Sequence, residues 1–175
     1  MSFFDYVKKG WEAAKLKAET IQELADDEKA LGPALGIVAI GGACLSVGQL
    51  WLFPGIIVLP IACLVGTFIF VWVAHFASTA FLSGKGDFKK LFTPLACASL
   101  LTWTGIIPVI GPALVWLAWL WLLVVAVVAV EKLYQLDRTK AIIAVAIPVG
   151  VMIVVWVVSF ALISLPFLVM AHRVR

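Results

Sequence analysis

Between Leu31 and Val130 the only formally charged stretch is Phe81-Leu82-Ser83-Gly84-Lys85-Gly86-Asp87-Phe88-Lys89-Lys90. Lysine, aspartate, serine and glycine so close together could bind phosphate or support a nucleophile, and each chemistry has a sequence requirement. A phosphate loop needs G-x-x-x-x-G-K-[ST], which Gly84-Lys85-Gly86 lacks. A nucleophile elbow needs G-x-S-x-G, and Ser83 is not framed that way. His75 has no nearby His or Cys to complete a metal site and reads as a satisfied histidine at the end of a span. Cys44, Cys63 and Cys97 are odd in number, widely spaced and set in apolar runs. They read as small buried hydrophobes, not as a disulfide framework or metal knuckle. No catalytic, metal or cofactor site is expected. What remains is a set of charges able to contact lipid phosphates or an acidic partner.

The elements that must hold this island follow from composition. The chain has 175 residues, 64% hydrophobic and 13% charged, with a mean hydropathy of +1.13. Soluble domains carry about 25% charged residues, so lipid is the relevant solvent. The basic residues form no stripe, and no nucleic-acid partner is expected. Five apolar runs approach the roughly 20 residues that cross a hydrocarbon core: 31–52, 56–76, 91–110, 112–130 and 141–163. Pro94 and Pro108 make the third the weakest. Proline and glycine in Phe53-Pro54-Gly55 and in Pro108-Val109-Ile110-Gly111-Pro112 mark two tight, uncharged joints. The joints 77–90 and 131–140 carry the charges instead. No Asp or Glu falls within a span, which argues against a proton relay or cation path.

A charge at the bilayer centre costs about 2.5–3.5 kcal/mol on insertion scales, so the island must lie in water or among head groups. Lys8, Lys9, Lys15, Lys17 and Lys29, the island lysines, and Lys132, Arg138 and Lys140 then share one face. Only Arg173 and Arg175 remain for the other. The positive-inside rule predicts a cytoplasmic N-terminus and an outward C-terminus. Trp51 and Trp103 are placed near the outer boundary, and Trp119, Trp121 and Trp156 between helices. Residues 2–30 do not read as a cleavable signal. Their stripe of Phe4, Val7, Trp11, Ala14, Ala18, Ile21 and Ala25 predicts an amphipathic helix, either interfacial or a docking helix for a partner.

Small residues at Gly32, Gly36, Gly41, Cys44 and Gly48 would let spans approach closely, within the chain or in a homo-oligomer. In the island, Gly84 and Gly86 are expected to supply turn angles. Asp87 is expected to cap a following helix. Phe88, Leu91 and Phe92 would then share one face, with Lys89 and Lys90 toward the head groups.

The segments Ser83-Gly84-Lys85-Gly86-Asp87-Phe88-Lys89-Lys90-Leu91-Phe92, Ile107-Pro108-Val109-Ile110-Gly111 and Val130 to Ala141 resemble the Yip-domain family of five-span, Rab-interacting membrane proteins. The Asp-Leu-Tyr-Gly-Pro motif and longer N-terminal region of Rab-binding members are missing, so Rab binding is not carried over, and a prokaryotic relative fits better. The resemblance implies an integral, non-enzymatic membrane protein that organises partners or lipid.

The expected architecture is therefore an all-α integral membrane protein. Residues 1–30 form a cytoplasmic amphipathic helix, and residues 31–175 a five-span bundle in a prokaryotic inner membrane. Its contact platform comprises Gly84, Lys85, Gly86, Asp87, Phe88, Lys89, Lys90, Lys132, Arg138 and Lys140. The expected role is an adaptor or accessory subunit engaging a membrane or cytoplasmic protein. A lipid-handling or membrane-shaping protein is the alternative, and a small transporter or channel the second alternative.

Overall fold

A computed structural model describes the backbone of residues 2–173 and the side chains of residues 2–155, 157 and 158. Trp156, the arginines Arg173 and Arg175, and the last side chains of the expected fifth span lie outside the described side chains. Among the described residues the fold is all helical, with seven α-helices: α1 Phe3–Ala14, α2 Ala18–Asp26, α3 Leu31–Gly48, α4 Gly55–Phe76, α5 Phe88–Ala98, α6 Gly111–Tyr134 and α7 Arg138–Arg173. A π-helical turn, Ala77–Phe81, extends α4, and a 3-10 helix, Ser99–Ile106, extends α5.

Four of these stretches are long and apolar enough to cross a membrane: Leu31–Gly48, Gly55–Phe81, Gly111–Tyr134 and Arg138–Val155. The expected third span is instead composite, α5 plus the 3-10 helix. Every residue of its stretch from Leu91 to Ser99 is buried, while Thr104 and Ile106 of the 3-10 helix are exposed. The apolar side chains of the buried stretch face protein where the sequence suggested lipid. The 3-10 helix runs alongside α3 in the same direction. Trp103 donates its indole N–H to the Ile37 carbonyl at 3.0 Å, and a Cβ on Gly48 would collide with the Gly105 carbonyl. Trp103 thus serves the bundle interior, because a half-buried indole N–H must find an acceptor.

Much of the small face of α3, from Gly41 to Gly48, packs within the chain, while a Cβ on Gly32 would meet nothing within 4 Å. Gly41 meets the Thr102 hydroxyl, and a Cβ on Gly42 would sit 2.5 Å from the Pro60 Cα. Close backbone approach of this kind is how helices associate where lipid removes the apolar driving force. Both uncharged joints close as tight turns, with Ser46 donating to the Trp51 carbonyl at 2.5 Å and the Gly111 amide to the Ile107 carbonyl at 2.8 Å.

The N-terminal segment is two helices, not one. The break follows from a competition for the Ala14 carbonyl. In a continuous helix it would accept from residue 18, but here it accepts from the Trp121 indole at 2.7 Å, and Leu16 turns to φ 65°. Tyr6, Gly10, Ala13 and Ala14 form the buried face of α1, while Phe4 and Trp11 of the expected stripe are exposed. Gly10 rests on the Cys97 carbonyl of α5, so α1 lies across α3, α5 and α6. Ile21 and Leu24 of α2 join the same core as Ile37, Leu91 and Val125.

Candidate functional site

At the end of the bundle that carries the charged joints, the residue that organises the structure is Tyr134, the last residue of α6. It is 1% exposed. Gln135 follows with φ 55°, the left-handed conformation that ends many helices. The Tyr134 hydroxyl lies 2.6 Å from His75 Nδ1, a hydrogen bond whose donor depends on the imidazole tautomer, and 3.3 Å from the Asp87 carbonyl. The Lys85 amide donates to the Tyr134 carbonyl at 3.3 Å, which sets the loop after α4 beside the loop after α6.

This contact revises the role of the glycines. Neither Gly84 nor Gly86 has a positive φ, and Ser83 takes the left-handed angle at φ 59°. The glycines are there for space. A Cβ on Gly86 would lie 2.5 Å from three atoms of the Tyr134 ring, and one on Gly84 3.1 Å from the Tyr134 Cβ.

Asp87 caps α5 as expected, its carboxylate accepting from the Lys89 amide at 2.8 Å and the Lys90 amide at 3.2 Å. Phe88 packs edge-on to Phe68 and His75 and stacks with Phe92. Lys90 does not stand free: its ammonium meets the Asp26 carboxylate at 2.6 Å and ties α2 to the island. That ammonium, with help from Gln22, holds the Asp26 carboxyl below the usual range, and the Lys90 pKa is raised in turn. Nearby, Asp27 accepts from the Lys29 amide and the Tyr6 hydroxyl, which lower its pKa. Burial and the same carboxylate push the Tyr6 phenol up.

The remaining platform residues flank Tyr134 in the chain. Lys132 lies 3.9 Å from Glu131 and Lys140 3.8 Å from Asp137. Arg138, Lys85 and Lys89 are exposed and have no ion pair among the described residues. Among those residues no group of His, Cys, Asp or Glu could hold a metal. The structure therefore brings Gly84 to Phe88 together around Tyr134. It joins Lys90 to α2 and sets Lys132 on the last turn of α6 and Arg138 and Lys140 on the first turn of α7. Sequence reasoning missed Tyr134, His75 and Asp26 as parts of this end. The signal for the first was two glycines either side of one lysine, a spacing that admits a bulky neighbour.

The Yip1 domain family model matches residues 15–159, a stretch that contains the whole Tyr134 arrangement. The chain belongs to the Yip1 domain family. No curated protein and no solved structure matches it. Within this Yip1 domain, the three segments that carried the resemblance are the charged loop, the Pro-Gly joint and the α6–α7 junction. Two of them meet at Tyr134. As a member of a membrane-protein family with several apolar helices, the chain resides in a lipid bilayer.

Proposed function

We propose that this Yip1 domain is a non-enzymatic membrane adaptor whose charged end docks an acidic partner at the cytoplasmic surface. The observation that carries the reading is the combination of a rigid frame with unpaired charge. Tyr134 fixes the two loops to each other, while the side chains of Lys85, Lys89 and Arg138 stand exposed with no ion pair among the described residues. In this reading α5 and the 3-10 helix count as the third of five crossings. At about 1.5 and 2.0 Å per residue their combined rise is about 32 Å, close to the hydrocarbon thickness. The excess of lysine and arginine at this end supports its cytoplasmic placement. The end of α2 joins the platform through Asp26, which pairs with Lys90, and each free cation near an anionic leaflet adds about 1 kcal/mol of attraction.

The test compares the full chain with a Lys85→Gln, Lys89→Gln, Arg138→Gln variant, both purified from native membranes over a salt series and analysed by mass spectrometry. The reading expects proteins that co-purify with the wild type at low salt and are lost both at high salt and from the variant. An unchanged set of partners with a correctly inserted variant would leave the loops with a topological role alone.

A further inference from the structure

We propose that the turn joining α1 and α2 is a phospholipid headgroup site set part-way through the bilayer, and that the groove beside it lets lipid exchange between leaflets. The proposal goes beyond the charged platform and does not rest on it. Its first support is depth. The Ala14 carbonyl is held by Trp121, ten residues from the Gly111 end of α6 and thirteen from the Tyr134 end. At 1.5 Å per residue those distances are about 15 and 20 Å, so the turn sits beside the middle of an apolar span.

Its second support is charge. Glu12 forms ion pairs with Lys15, at 2.9 Å, and with Lys17, and Lys15 also lies 5.5 Å over the Trp11 ring. Two ammonium groups and one carboxylate leave a net positive charge. The side chains of Lys15 and Lys17 are half exposed or more, so they can reach a further anion. Charges at this depth are strongly disfavoured against hydrocarbon and require polar company. A phospholipid phosphate supplies it.

Its third support is shape. An open groove of about 730 Å³ runs from Trp11 and Lys15 along Leu114, Leu117, Leu120 and Val124 of α6. Its walls are mostly apolar and Leu117 and Leu120 are exposed, which suits an acyl chain lying against α6 while its phosphate rests on Lys15 in the groove wall and on Lys17, which shares the Glu12 carboxylate just outside it. A headgroup that pauses there has a polar station between the two surfaces, and the barrier to crossing falls.

The full chain is reconstituted into phosphatidylcholine–phosphatidylglycerol vesicles with a trace of acyl-labelled fluorescent phosphatidylethanolamine, and dithionite is added outside. The expected result is bleaching beyond the outer-leaflet pool, while a water-soluble dye trapped inside stays protected. Lys15→Gln with Lys17→Gln should slow exchange by about ten-fold or more, as expected for losing two favourable charge contacts. Leu117→Trp with Leu120→Trp, which fills the groove and leaves the charges alone, should slow it comparably, and Lys29→Gln should not. Bleaching no greater than in protein-free vesicles overturns the proposal. So does exchange that persists unchanged in both double variants.

Discussion

The ring of Tyr134 occupies the space in which residue 86 would carry a side chain, and a Cβ built on Gly86 would lie 2.5 Å from three of its atoms. The same ring is held from the other side by His75, whose Nδ1 is 2.6 Å from the hydroxyl. A helix end, a span end and a loop thus meet on one aromatic residue, and the charged side chains around it inherit a fixed frame.

Gly86→Ala should therefore destabilise the chain by about 1–3 kcal/mol, the usual cost of overpacking a filled site. Gly66→Ala serves as the control, since a Cβ there meets nothing within 4 Å. Thermal unfolding in detergent should separate the two, and in a Tyr134→Leu background the Gly86→Ala penalty should shrink. An equal penalty with and without the Tyr134 ring would show that the contact is not the cause.

Much of this fold was legible from hydropathy and punctuation. The apolar runs located α3, α4, α6 and the start of α7, the Pro-Gly joints located two tight turns, and Asp87 announced the start of α5. Three features were not legible, each for a physical reason. Apolarity does not distinguish a helix facing lipid from one facing protein, so the enclosure of Leu91 to Ser99 was invisible. The break after Ala14 depends on Trp121, distant in sequence, taking a carbonyl from the local helix. Glycine serves both left-handed turns and close approach, and only the position of Tyr134 shows which applies at Gly84 and Gly86. The placement of Lys85 beside the loop after α6 likewise depends on a backbone bond that no local pattern encodes.

Acid should loosen the N-terminal hairpin. The carboxyls of Asp26 and Asp27 are held below their ordinary values, so their contribution is complete above about pH 3.9 and is lost as pH falls through the folded-state values. The protection factors of α2 amides, with the intrinsic pH dependence of amide exchange divided out, should stay constant from neutrality down to about pH 4 and fall below it. Lys90→Gln removes the first cause acting on Asp26 and should shrink the acid-induced loss without moving its onset. Loss of protection beginning near neutrality would point to a different group.

Gly10 should be required for α1 to cover α5. A Cβ there collides with the Cys97 carbonyl and lies 2.8 Å from Leu100 Cδ2. Gly10→Val should lift α1 and expose Cys97, which is fully buried in the wild type. With Cys44 and Cys63 replaced by alanine, maleimide should leave Cys97 unmodified in the Gly10 protein and label it in the variant. Equal labelling of both would contradict the docking of α1 on α5.

The measurement that bears most directly on the charged platform is side-specific labelling in intact membranes, with single cysteines placed in a chain whose own three cysteines are replaced. Lys89→Cys and Arg138→Cys report the two charged loops, and Glu28→Cys the N-terminal segment. Val109→Cys, at a position 90% exposed in the uncharged joint, reports the opposite end. With a membrane-impermeant maleimide, the expected result is that the first three react from the cytoplasmic side and Val109→Cys from the other. Reaction of Lys89→Cys and Arg138→Cys from different sides, or of Val109→Cys from the same side as both, would contradict a single cytoplasmic platform.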